Sequence, residues 1–224
     1  VLDNLKEGLA YSMGHATMKF LLLMLVFISV FMHAYMELLP GITEQVFARD
    51  PKDGVAILVS AAGFGAVSVS LLVGVLTRVE SLFRVFFISL ALGVASLVLL
   101  GSIDDFALGI AVMVLVAGSQ MGMIIAGQII VQSAVDGAFR GRVMSLWALI
   151  TRGGPAVGAL LLGALADFIG FQWPIVLGAV VAGLVAVYVY SHRQEMYDAL
   201  AAARTPAKAS NAGLERPMAG ADGG

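Results

Sequence analysis

Six runs of roughly twenty predominantly apolar residues constrain this chain more than any other feature; they lie near 20–39, 54–76, 85–103, 106–131, 143–166 and 174–191. About 20 residues at 1.5 Å of helical rise cover the hydrocarbon core of a bilayer, roughly 30 Å thick. Each run is therefore predicted to be a transmembrane helix. Composition points the same way: 60% of residues are hydrophobic, 12% are charged, and mean hydropathy is +0.96, whereas soluble domains carry about a quarter charged residues. The predicted fold is an all-α polytopic membrane protein with six transmembrane helices. The sequence has no cysteine, so disulfides and thiolate metal sites are excluded.

The flanks complete the layout. Within residues 1–19, Leu2, Leu5 and Leu9 recur at helical spacing with Lys6 and Glu7 opposite, which suits a short surface helix leading into the first span. Position 1 is Val and no signal-peptide pattern follows, so the chain is expected to begin inside a longer gene product or to have been trimmed. Pro40-Gly41 is predicted to end the first helix, and residues 132–142 to form a polar connector. Residues 192–224 turn to Ala, Gly, Pro and Ser with scattered charge, an expected largely disordered tail. Six spans put both termini on one side. Lys6, Lys19, Arg78, Arg84, Arg140, Arg142, Arg193, Arg204, Lys208 and Arg216 share that side, against Arg49 and Lys52 on the other. The bias predicts cytoplasmic termini in a plasma (bacterial inner) membrane.

Arg152 is the one basic residue left within a span. It stands nine residues past Val143, about 14 Å into the bilayer. Insertion there costs about 2.5–3.5 kcal/mol, so a gate or substrate-facing role competes with a structural arginine paired to carbonyls or a glutamine, or snorkelling to an interface. Gly153, Gly154, Pro155, Gly158 and Gly163 follow it, and Gly63 and Gly65 stud the second span. Small residues allow close helix approach, and the proline removes a ladder bond, so both spans are predicted contact or gating surfaces. Gln120 and Gln128 of the fourth span suit either a polar pathway lining or hydrogen bonds between helices. His33 and Glu37, four apart, are predicted to share a helix face, either as a proton-coupling pair or as boundary residues that pack side by side. Two ligands are too few for a metal, and no cofactor is expected.

Three stretches carry a family resemblance. Asn4 to Tyr11 contains the pattern L-x-E-G-x-x-Y, Arg140-Gly141-Arg142 supplies an R-G-R loop motif, and Gly154-Pro155-x-x-Gly158 gives a glycine-proline signature. Together with six spans, they resemble the C-terminal half of a major facilitator superfamily transporter, in the branch similar to the enterobactin exporter, the transmembrane secretion effector group. The resemblance covers residues 2–192. The loop 77–84 departs from it, keeping Arg78 and Arg84 but lacking the family's aspartate. The resemblance implies a 3+3 inverted repeat and a missing N-terminal six-helix half that completes the substrate site. It also implies that the first and fourth spans line the cavity, the second and fifth face the other half, and the third and sixth lie outermost. His33, Gln120 and Gln128 then fall on the cavity side, Glu37 near the outer mouth, and Arg152 at the rocking interface.

The function this implies is efflux-type secondary active transport of a small molecule, driven by protons. The partners would be that substrate, the lipid bilayer and the missing half, with no nucleic acid. A competing reading is a non-transporting, truncated or partner-dependent six-helix protein. Intramembrane proteolysis fits poorly: Ser119 sits in Ala-Gly-Ser-Gln, the late histidine is His192 at the membrane edge, and Asp104 and Asp105 lie in a loop.

Overall fold

The computed structural model describes residues 2–14, 16–74, 79–135, 137–192 and 194. Val1, Arg78 and the tail from 195 onward, including Arg204, Lys208 and Arg216, lie outside them, as does Arg193. The chain folds as α1 (Leu2–Gly14), α2 (Ala16–Phe27), a π-helical segment (Ile28–Met32), α3 (Tyr35–Gln45), α4 (Pro51–Gly74), α5 (Val79–Leu100), α6 (Phe106–Ala134), α7 (Gly137–Ile169) and α8 (Gln172–Ser191). No strand occurs among the described residues. Among the described residues, six stretches are long and apolar enough to cross a membrane: Met18–Gln45, Pro51–Gly74, Ser81–Leu100, Phe106–Ala134, Gly137–Ile169 and Gln172–Ser191. This is the expected all-α, six-span integral membrane protein.

Local chemistry sets the helix ends. Asp105 has extended backbone and its carboxylate accepts the Leu108 N–H at 2.7 Å, capping α6. Pro51 opens α4, where its missing N–H costs nothing. Gly170, at φ +82°, stops α7 while its N–H reaches back to Ala166 O at 2.9 Å. The helix therefore runs three residues past 166, the expected end of that span.

Two expected boundaries are corrected. Pro40 lies inside α3, which runs on to Gln45. It is exposed, and the helix forgoes only the bond that residue 40 would donate to Met36 O, near the C-terminal end of the span. The connector 132–142 is mostly helical, because α6 continues through Ala134 and α7 already begins at Gly137. Polarity marks where hydrocarbon ends, and a helix has no reason to stop there.

The packing repeats across the two halves of the chain. The second span packs on the fourth as the fifth packs on the first; the third packs on the fourth as the sixth packs on the first; and the third and sixth pack on each other. Exchanging spans one to three for four to six leaves these pairings unchanged, as an inverted 3+3 repeat requires. Buried polar side chains close on backbone within reach: Ser12 donates to Gly8 O, Thr43 to Leu39 O, Ser96 to Gly93 O and Ser119 to Val116 O. Bilayer hydrocarbon offers no hydrogen bond, so this local satisfaction is obligatory. The second and fifth spans are the least buried of the six.

Candidate functional site

The first span is broken at its middle, and its neighbours are shaped to the break. In the π segment the His33 N–H bonds to Ile28 O at 3.0 Å, five residues back. The Met36 N–H then turns to His33 O and the Glu37 N–H to Ala34 O, at 3.3 and 3.1 Å. Neither reaches Met32 O. That carbonyl instead accepts Gln120 Nε2 from α6 at 3.1 Å. One turn earlier, Ser29 Oγ donates to Ile150 O of α7 at 2.6 Å. Single π turns mark altered register inside helices and cluster at functional positions.

Glycines carry the neighbouring helices onto this segment. A Cβ at Gly158 would overlap Val30 O, one at Gly154 would overlap Ser29 Oγ, and one at Gly178 would stand 2.7 Å from Phe31 O. The same crossing recurs on the other side of the bundle. A Cβ at Gly65 of α4 would overlap Val114 O of α6, and a Cβ at Gly118, four residues on, would stand 3.2 Å from Gly65 O. On the first side the Cβ at Gly158 that would overlap Val30 O would also stand 2.7 Å from the Cβ of Ala34, four residues on. Two equivalent glycine-on-carbonyl crossings thus join spans two and four, and five and one.

The predicted residues divide by this geometry. Gln120 is 6% exposed, and its bond to Met32 O is the interhelical hydrogen bond of its two candidate roles. Gln128 is half-buried, two turns further along α6. His33 and Glu37 form no hydrogen bond or ion pair with each other: the π turn and the two i→i−3 bonds after it interrupt the regular register, His33 Nδ1 turns back to Ile28 O at 3.2 Å, and Glu37 is exposed. Gly154, Gly158 and Gly65 make close contacts. Gly153 and Gly63 have no atom within 4 Å of a Cβ position, and Gly163 only Leu38 Cδ2 at 3.9 Å, so these three are not packing glycines within this bundle. Pro155 sits inside α7 without ending it. Arg152 is exposed and forms no hydrogen bond or ion pair with another described residue.

At the end of the bundle where α7 begins, two of the sequence motifs meet. Arg142 pairs with Glu7, and its guanidinium lies 5.4 Å from the centroid of the Phe139 ring. Phe139 stacks on Tyr11 with centroids 4.3 Å apart and planes 9° from parallel. Gly8 is buried against Arg142 O, where a Cβ would lie at 3.0 Å. The ion pair is solvated and worth at most about 1 kcal/mol, so close backbone approach and ring stacking carry the docking of α1. Arg140 and Gly141 point outward, exposed.

Sequence reasoning missed Ser29, Gly178, Ala34 and the π segment. The spacing Gly154-x-x-x-Gly158 was the available signal, since two small residues four apart bring helix backbones together. Loss of the Gln120 amide has a defined expectation. Gln120→Leu leaves the Met32 carbonyl without a donor and should lower stability by about 1–2 kcal/mol. That exceeds the roughly 0.6 kcal/mol average for hydrogen bonds between membrane helices, because no helical donor replaces the amide. Unfolding of the variant in detergent against a denaturant series measures it.

Together the inverted repeat and the paired crossings define a polytopic helical membrane protein built as transporter bundles are built. The family model of the Major Facilitator Superfamily matches residues 20–216, and the chain belongs to that superfamily. Its function is accordingly membrane transport. No curated protein and no solved structure matches the chain.

Proposed function

We propose that this chain is the C-terminal half of an efflux-type secondary active transporter, resembling the enterobactin-exporter branch, which moves a small molecule in exchange for protons. The observation that carries the reading is the pair of open faces on α4 and α7. These two spans are the least buried, they stand at symmetry-equivalent positions, and Phe64, Val67, Leu71 and Leu160 on them are more than half exposed. A second six-helix bundle laid across both faces would close a cavity between the halves, with α4 and α7 as the surfaces that rock. Arg152 lies exposed on α7, and a Cβ at Gly63 of α4 or at Gly153 of α7 would meet no atom within 4 Å, so neither glycine is used for packing inside this bundle. The excess of basic residues at the end holding Lys19, Arg84, Arg140 and Arg142 supports cytoplasmic termini and a bacterial inner membrane.

The test is co-expression with a six-helix N-terminal half of the same branch, followed by flux in everted membrane vesicles under an imposed pH gradient. Ethidium and a catecholate serve as cationic and anionic probes. Uptake that needs both halves and collapses with the gradient is expected. A stable complex that moves neither probe nor protons would leave the competing reading, a partner-dependent protein without transport.

A further inference from the structure

The outer side of the bundle, away from the open faces of α4 and α7, carries a groove between α5 and α8. Its volume is about 570 Å³, and Phe87, Leu90, Val94, Gly183, Val187 and Tyr190 form most of its wall. The wall is apolar over nearly its whole length. At Gly183 the two helices close on each other: a Cβ there would stand 3.2 Å from Val94 Cγ1. At one mouth the rings of Phe87 and Tyr190 meet edge to face, with centroids 5.1 Å apart. Arg84 stands three residues before Phe87 and seven before Ala91, so it continues the groove-lining stripe of α5 one turn beyond that aromatic pair. It is exposed. This is also the end of the bundle that holds Lys19, Arg140 and Arg142, while Asp104 and Asp105 lie at the other.

We propose that this groove holds one acyl chain of an anionic phospholipid, with the phosphate at Arg84. The order of chemistry along the groove is that of the lipid itself: hydrocarbon wall, aromatic pair at interface depth, then a cation. A nearly apolar concavity with an arginine one helical turn beyond its mouth matches an amphiphile with a thin tail and an anionic head. A neutral zwitterionic lipid fills the tail site equally well but gains less from Arg84, so the headgroup preference belongs to the arginine and the retention belongs to the groove.

The full 224-residue chain is purified in detergent with equal amounts of phosphatidylglycerol and phosphatidylcholine of the same acyl chains, and retained lipid is counted by native mass spectrometry. Wild type should retain one lipid with a roughly fivefold preference for phosphatidylglycerol, the ratio one juxtamembrane basic residue supplies. Arg84→Gln should keep the lipid and lose the preference. Ala91→Phe, and Leu184→Trp from the α8 side, should lose both lipids by filling the groove from exposed positions. Equal retention of the two lipids by wild type would overturn the proposal. So would a preference that survives Arg84→Gln, retention unchanged in both filled variants, or a protein dimer in place of lipid that those variants dissociate.

Discussion

Gly158→Ala is expected to destabilise the bundle by about 3 kcal/mol, the upper part of the range for overpacked cores. The added methyl falls on Val30 O, a backbone atom that no rotamer change can move, with Ala34 Cβ 2.7 Å away on the same helix. Relief requires α7 to withdraw from the π segment, which would also strain the Ser29 bond to Ile150 O. Gly65→Ala should cost a similar amount through Val114 O, because the crossing of α4 on α6 repeats that of α7 on the first span. The two sites share no contacting residue, so the double variant should be additive within about 0.5 kcal/mol. Gly153→Ala is the control: its Cβ meets no atom within 4 Å, and a helical glycine replaced by alanine gains up to about 1 kcal/mol. Thermal unfolding in detergent separates the three variants. A Gly158→Ala protein as stable as wild type would show that the crossing is looser than these distances require.

The six spans were legible in the sequence because hydrocarbon thickness fixes the length of an apolar run, and no tertiary contact can supply that length otherwise. Helix ends were less legible. Gln132 to Ala134 and Gly137 to Arg142 are polar enough to read as loop, yet they are helical, since polarity reports only that the chain has left the hydrocarbon. Pro40 misled for a related reason: its missing bond falls at an exposed position near the span's end, where the helix tolerates it.

The site was legible in part. Gly154, Gly158 and Gly65 carried a packing signal in their size and spacing. The π segment Ile28–Met32 carried none, because Ile-Ser-Val-Phe-Met has no residue that marks a change of register. The break is a tertiary event: glycines of α7 and α8 lie against the Val30 and Phe31 carbonyls, and Gln120 satisfies the Met32 carbonyl that the break sets free. The same break falls between His33 and Glu37. A four-residue separation gives one face only where the helix keeps 3.6 residues per turn, and between these two it does not.

Arg152→Ala should lower gradient-driven flux at least roughly tenfold while leaving expression and thermal stability unchanged. The stability half of that expectation rests on exposure: the side chain bonds to no other described residue, so its removal opens no cavity and orphans no acceptor in this bundle. The flux half rests on where the charge lies. An arginine midway along a span costs about 2.5–3.5 kcal/mol unless water or an opposing group compensates it. On an open face of α7, compensation comes from outside this bundle: from water reached by snorkelling, from a wet cavity, or from the proposed second bundle. In an alternating mechanism that surrounding differs between the inward-open and outward-open states, so the arginine's energy differs between them as well. A difference of only 1.4 kcal/mol already shifts a two-state equilibrium tenfold. Arg152→Lys keeps the charge at a similar depth and should restore part of the flux, whereas Arg152→Gln keeps a hydrogen-bonding group without the charge and should not. Full activity in Arg152→Gln would assign the residue to hydrogen bonding alone, and full activity in Arg152→Ala would remove it from the transport cycle.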